Sequence, residues 1–330
     1  MKKIFILVAF IFLGVTYAQE TRTITDDLGR EVKVPTTPQS VVFTGGEEHA
    51  AMVTSLGYVP LGIGSVYGQD SAETLTAIGG DVGDLSGMIG VGASNELDYE
   101  TIAALEPDLI IHWNNEEAVE RLSLIAPTLG YNPRANNSGE YGDPSGERYL
   151  KQGTLASLVG TEDALDAQIA EYQALLAEVK ERHADIIPEL EWTFIDDSDE
   201  AVVYMYDGAR YPTFAYHAVL TDIGLTPSTA MVDATTNGLG YEDNFGYAQV
   251  SVEVVPDYAA DLIFVGRYDT APIAGPTQLA LDSTAAADAG QVHRVNANIW
   301  TYHLVQAEIR LLQEIDAILS AGVENVGDFN

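Results

Sequence analysis

The chain is predicted to fold as two α/β lobes joined by one long helix, with a ligand cleft between the lobes. Three observations predict this. Short strand-like and helix-like segments alternate along most of the sequence, the pattern of a parallel α/β sheet. One long amphipathic stretch, residues 154–184, interrupts the alternation near the middle. Segments before the interruption are then echoed, in the same order, after it.

The elements follow in turn. Residues 21–34 read as a hairpin, because Thr23, Thr25, Val32 and Val34 favour strands and Asp27, Leu28 and Gly29 supply a turn. A strand at 41–44 precedes a helix at 47–56 that Gly57 stops, and a second strand follows at 60–63. A helix at 99–105 is closed by Pro107 and leads into a buried strand at 109–113. In the long stretch, Leu165, Ile169, Tyr172, Leu176 and Val179 recur at helical spacing. Glu162 and Asp163 open it and Lys180 and Arg182 close it, matching the helix dipole. Such a helix would span about 35–45 Å at 1.5 Å per residue. Strands at 192–195, 202–206, 262–266 and 292–295 and a final helix at 304–319 build the second lobe. The domain reading is therefore a leader at 1–18, a first lobe at 19–152, a linker helix at 153–186 and a second lobe at 187–330.

The echo is specific in position. Glu100, Thr101 and Ile102 lead, eight residues on, to Asp108, Leu109 and Ile110; Glu253, Val254 and Val255 lead, eight residues on, to Asp261, Leu262 and Ile263. The helix stop at Leu56 and Gly57, with Pro60 beyond, is matched by Ile223 and Gly224 with Pro227. Ligands of open α/β sheets bind outside the carboxyl ends of the strands, which places the expected site between the lobes.

Residues 1–18 read as a secretory signal. Lys2 and Lys3 precede an apolar run at 4–13, and Thr16 and Ala18 occupy the small-residue cleavage positions. The sequence has no cysteine, so neither a lipoprotein signal, a disulfide nor a thiolate metal site is available. Export to a Gram-negative periplasm, as a soluble protein, is the expectation. The formal net charge is −35, and loss of Lys2 and Lys3 would take it to −37. Nucleic acid and anionic lipid are thereby disfavoured as partners, since both require positive surface. Such acidity also suits a salty habitat, where a short Debye length relieves self-repulsion.

Catalytic signatures are absent. The sequence contains no phosphate-binding loop, no HExxH, no GxSxG and no cysteine nucleophile, and Gly62 and Gly64 lack a third glycine at dinucleotide spacing. His49, His112, His217 and His303 are scattered rather than paired at ligand spacing, so no resident metal or other cofactor is expected. Aromatic and arginine residues instead gather at predicted strand ends. They are Trp113; Tyr206, Arg210 and Tyr211; Arg267 and Tyr268; and Trp300 and Tyr302. Tyr67 and Arg134 are further candidates from the first lobe. With only thirteen basic residues left after the leader, arginine at a cleft is informative. Guanidinium groups grip anionic oxygens and stack on aromatics, so the set suits a bulky, anionic, partly aromatic ligand.

The segments 24–35 (ITDDLGREVKVP), 99–111 (YETIAALEPDLII), 125–128 (IAPT) and 260–265 (ADLIFV), in this order around a long helix, resemble the periplasmic binding proteins for ferric siderophores, haem and cobalamin. The resemblance implies a non-enzymatic, monomeric carrier that captures a ferric siderophore and delivers it to the permease of an ABC importer. Haem or cobalamin carriage on the same fold is the alternative, and a two-lobed metal-handling enzyme is the alternative from another class. Within the family the chain looks most like the catecholate-type binders, with Arg267 after the buried strand and an aromatic pair before the last helix. Some relatives place an iron-ligating histidine where this chain has Asn237, so the resemblance implies that iron enters only inside a fully coordinated complex. It also implies that Glu100 and Glu253 dock the permease, one on each lobe.

Overall fold

The computed structural model describes residues 19–65, 71–80, 82–133, 147–197, 202–206, 214–237 and 247–321. The expected hairpin is present as β1 (Thr21–Thr25) and β2 (Glu31–Pro35), paired antiparallel. Asp26 forms its turn by accepting hydrogen bonds from the backbone of Leu28 (3.1 Å) and Arg30 (2.9 Å). The first lobe then alternates strand and helix. Its elements are β3 (Val41–Phe43), α1 (Glu47–Thr54), β4 (Gly62–Ser65), α2 (Ser71–Gly79), β5 (Ile89–Ala93), β6 (Glu96–Leu97), α3 (Tyr99–Ala104), β7 (Leu109–His112), α4 (Glu116–Leu122) and β8 (Thr128–Gly130). The sheet runs β6-β5-β4-β3-β7-β8 and is parallel except for β6.

Strand alternation divides this lobe's core. Val41, Phe43, Leu109 and Ile111 face a large apolar cluster, whereas Val42 and Ile110 face a smaller one with Val91, Ile102 and Leu122. Local capping fixes the helices on the second face. Asp98 accepts from the Thr101 amide (3.0 Å) at the start of α3, and Asn115 accepts from the Ala118 amide (3.0 Å) at the start of α4.

The long central helix expected at 154–184 is two helices. Helix α5 (Leu150–Val159) ends at Gly160, whose φ of 74° is left-handed, and α6 (Glu162–Arg182) starts two residues later. Glycine closes a helix in this conformation without a Cβ penalty, which the apolar periodicity alone does not register. Helix α6 spans about 31 Å.

The second lobe contains β9 (Glu191–Asp196), β10 (Val202–Tyr206), α7 (Ala215–Ile223), β11 (Thr226–Pro227), α8 (Thr229–Thr236), β12 (Tyr247–Ser251), β13 (Leu262–Arg267), α9 (Gly275–Leu281), α10 (Ala285–Asp288), β14 (Val292–Asn296), α11 (Ala297–Thr301) and α12 (Val305–Ala321). A 3-10 helix at Val252–Tyr258 precedes β13. The sheet order is β12-β10-β9-β13-β14, with β11 also pairing β9. It is mixed rather than parallel, because β10 runs antiparallel to both β9 and β12. No described helix is long and apolar enough to cross a membrane.

The lobes share one continuous core, in which Phe43 and Met52 of the first belong to the same cluster as Trp192, Phe264 and Leu312 of the second. Polar bridges cross the same junction. Gln152 donates to the Met52 carbonyl (3.0 Å) and accepts from the Val305 amide (3.1 Å). Arg148 is buried between Asp222 of α7 and Glu308 of α12, bonding Asp222 through Nη1 and Glu308 Oε2 through Nη2 (2.7 Å). Tyr149 donates to Glu308 (2.6 Å) and Tyr172 of α6 donates to Asp222 (2.6 Å). Burial pushes the Glu308 carboxyl upward, but the facing Arg148 and His303 outweigh it and hold it below its ordinary range.

Candidate ligand cleft

In the first lobe, polar groups collect at the carboxyl ends of the parallel strands. Thr44 follows β3, and its hydroxyl donates to the Ile111 carbonyl (3.2 Å) while lying 3.0 Å from His112 Nδ1. His112 is 2% exposed. Burial, and then neighbouring His49, push its pKa down to about 4, so the ring is neutral near pH 7. It lines a polar pocket of about 480 Å³ with Ser94, Asn95, Tyr99, Asn115 and Arg121. The Arg121 guanidinium lies 4.2 Å over the Tyr99 ring, a cation–π contact.

Trp113 follows His112 and is half-buried. His49 meets its ring edge to face at 4.5 Å, and His49 Nε2 donates to the Tyr131 carbonyl (2.9 Å). Gly45 makes room for this arrangement, since a Cβ there would stand 2.7 Å from the His49 ring.

In the second lobe, Asp196 ends β9 and Asp197 follows it, Arg267 ends β13 and Asn296 ends β14. Arg267, read from the sequence as a cleft arginine for anionic oxygens, is engaged by two carboxylates of this chain. Nη1 donates to Asp197 Oδ2 (2.6 Å) and to the Asp197 carbonyl (3.2 Å). Nε and Nη2 grip the two carboxylate oxygens of Asp269 at 2.9 and 3.0 Å. The bonds to Asp269, followed by those to Asp197, raise the Arg267 pKa further, and the same bond lowers that of Asp269. Thr277 donates to Asp197 Oδ1 (2.7 Å), and Arg294 donates to the carbonyls of Asp269 and Ala271. Together these contacts clasp the turn between β13 and α9.

Trp300 is a core residue rather than a cleft residue. It is fully buried, with its ring centroid 4.6 Å from Phe264 and 6.1 Å from Phe194, and Nε1 donates to Glu314 (2.7 Å). Gly266 permits the packing, because a Cβ there would sit 2.5 Å from the Phe194 ring. Sequence alone does not separate a buried aromatic from a ligand-facing one at a strand end. Of its neighbours, Tyr268 is exposed and Tyr302 is half-buried against the core.

Asn237 ends α8, exposed, with its amide donating to the Asp233 carbonyl (2.7 Å). Tyr206 lies in β10 opposite Tyr247, and its side chain lies outside the described residues. Tyr67, Arg134, Arg210 and Tyr211 also lie outside them. Glu100 and Glu253 are both exposed, in the first turns of α3 and of the 3-10 helix before β13.

A groove of about 550 Å³ separates α2 from the end of β14 and from α12, lined by Glu73, Thr76, Asn296 and Arg310. Arg310 closes one side by donating to the Ala77 carbonyl at the end of α2. A second, apolar cavity of about 420 Å³ lies at the opposite ends of the strands, among Leu190, Leu262 and Ile318, away from the polar groups. Among the described residues no three histidine or carboxylate groups come together to hold a metal ion. The pocket residues Ser94, Asn95, Tyr99, Asn115 and Arg121 escaped the sequence reading, for which only the neutral-polar turn at Ser94 and Asn95 was a signal.

Two α/β sheets joined through α5 and α6 and packed on a common core, with a groove between α2 of the first lobe and the end of β14 in the second, make a two-lobed α/β fold. The chain belongs to the periplasmic binding protein family, whose profile matches residues 68–292. It is 25% identical over 190 residues to the iron(3+)-hydroxamate-binding protein FhuD of Bacillus subtilis, a match covering 57% of this chain and 54% of that one. It is 26% identical over 182 residues to the iron(3+)-hydroxamate-binding protein YxeB of the same organism, covering 52% and 49%. The chain thus spans about half the length of the curated relatives it matches. Among solved structures, FhuD of S. pseudintermedius superposes with a TM-score of 0.68 at 20% identity, covering 92% of this chain and 99% of that one. The catecholate-siderophore binding protein VctP of Vibrio cholerae gives 0.63 at 19% identity, covering 92% and 100%. These likenesses establish the fold expected from the sequence and fall on hydroxamate and catecholate binders alike.

Proposed function

We propose that the protein captures a ferric siderophore outside the cytoplasm and delivers it to an ABC importer. The observation that carries this reading is a polar pocket at the carboxyl ends of the first lobe's strands, in a chain whose matched relatives are named for iron(3+)-hydroxamate binding. A neutral imidazole and amide and hydroxyl groups suit recognition of a complex whose iron is already coordinated. The role is carriage without catalysis, as a monomer, and the leader at 1–18 supports export.

Trp113, next in the chain to the pocket residue His112, supplies the assay. Ferric siderophores should quench tryptophan fluorescence saturably at one site, and haem and cobalamin should not. Quenching by haem or cobalamin alone would move the protein to the other branch of its family, and no response to any of these ligands would end the reading. N-terminal sequencing of the exported protein should begin at Gln19. For delivery, Glu100→Ala combined with Glu253→Ala should keep ligand affinity and abolish stimulation of the importer's ATPase; normal stimulation would remove the docking role.

A further inference from the structure

The siderophore reading leaves the charge of the complex open, and the β13 end speaks to it. A guanidinium has five N–H donors, and Arg267 spends four of them on Asp197 and Asp269. Arg294 also lies 4.0 Å from Asp269, so two guanidinium groups balance two carboxylates, and what the cluster presents outward is set by exposure. Exposure is unequal: the Asp269 side chain is 55% exposed and that of Arg267 is 22%. A ligand approaching this edge therefore meets a carboxylate before a guanidinium. Arg294, the other cation here, has its side chain 4% exposed and bonds to backbone carbonyls within the turn. In the first lobe, His112 lines the polar pocket as a buried, neutral ring and adds no positive charge.

We propose that Asp269 is a specificity-determining residue, which sequesters Arg267 and so tunes the cleft to neutral or cationic ferric complexes over anionic ones. An anionic complex would have to approach the Asp269 carboxylate or displace it from a bidentate pair, in a position where charge is only partly screened. A neutral tris-hydroxamate or one carrying an ammonium group faces neither cost. Discrimination here arises from a repulsive element as much as from an attractive one. The inference rests on the siderophore reading above.

The test compares two probes by fluorescence titration, a neutral ferric tris-hydroxamate and a triply negative ferric tris-catecholate, each with the wild type, Asp269→Asn, and Asp269→Asn combined with Arg267→Gln. Asparagine can keep the bond from the Ala271 amide (3.1 Å), so the turn should survive. The wild type should favour the hydroxamate by at least tenfold. Asp269→Asn should shift the affinity ratio toward the catecholate by about tenfold, and adding Arg267→Gln should return it, because the gain runs through the freed guanidinium. A wild type that favours the catecholate, or a ratio unmoved by Asp269→Asn, overturns the inference while leaving siderophore binding intact. Failure of both probes to bind any of the three proteins overturns the functional reading and this inference with it. Circular dichroism of each variant separates a lost fold from a lost preference.

Discussion

Asp108 and Asp261 make the same contact in the two lobes. Asp108, just before β7, accepts from the backbone amides of Gln39 (2.8 Å) and Ser40 (3.0 Å) at the entry to β3. Asp261, just before β13, accepts from the amide of Glu191 (2.8 Å) at the entry to β9. Each carboxylate pins the start of the neighbouring parallel strand, whose first amides would otherwise lack partners. The matched segments noticed in the sequence are thus matched in structure, as staples at the amino ends of both sheets.

The two staples should differ in weight. Asp108 holds two amides and is half-buried, whereas Asp261 holds one and is exposed. Charge-assisted bonds of this kind suggest a loss of about 2 kcal/mol for Asp108→Ala and about 1 kcal/mol for Asp261→Ala. Urea unfolding midpoints would measure both, and equal losses would contradict the difference in geometry.

Arg148 should be far more sensitive. Removing it strands Glu308, which is fully buried, and Asp222 without their shared cation. Breaking such a pair from one side costs about 3–5 kcal/mol. Arg148→Ala is expected to unfold at much lower denaturant. Adding Asp222→Asn and Glu308→Gln should restore part of the loss, because no buried charge then remains unpaired.

Two buried histidines set an acid limit. His112 and His293 are both pushed down to about 4 by burial. Their unfolded value is near 6.5, so between these limits the unfolded chain binds more protons than the folded one. Their contribution is fully present above pH 6.5 and is lost as pH falls toward 4, by up to about 3 kcal/mol for each ring. A pH series of unfolding free energies should show this slope, and His293→Gln should flatten it.

Salt should act in the opposite sense to dilution. The chain has 50 acidic against 15 basic residues. Raising salt toward molar concentration screens their mutual repulsion, and the melting temperature should rise. A flat series would leave the acidity without a stabilising connection to salt.

Much of the fold was legible because apolar period and strand alternation are local signals. The hairpin, β3, β7, β9, β13 and α12 follow from them directly. Gly160 divided the central helix because a left-handed cap is a single-residue event that periodicity averages away. The antiparallel pairing of β10 with β12 runs from Tyr206 with Tyr247 to Val202 with Ser251, a separation along the chain that no local pattern encodes. The site was less legible. Arg267 stood at the right strand end, but its partners Asp197 and Asp269 meet it only once β9 and β13 lie side by side. Trp300 belongs to the interior for a similar reason, since Phe194, Phe264 and Glu314 converge on it from three separate elements.

The amide of Gln152 touches Met52 on one side and Val305 on the other, each through main-chain atoms that cannot swing away independently. The two bonds tie the first lobe to the start of α12, so any change in the angle between the lobes must carry or break one of them, at about 1 kcal/mol for each bond lost.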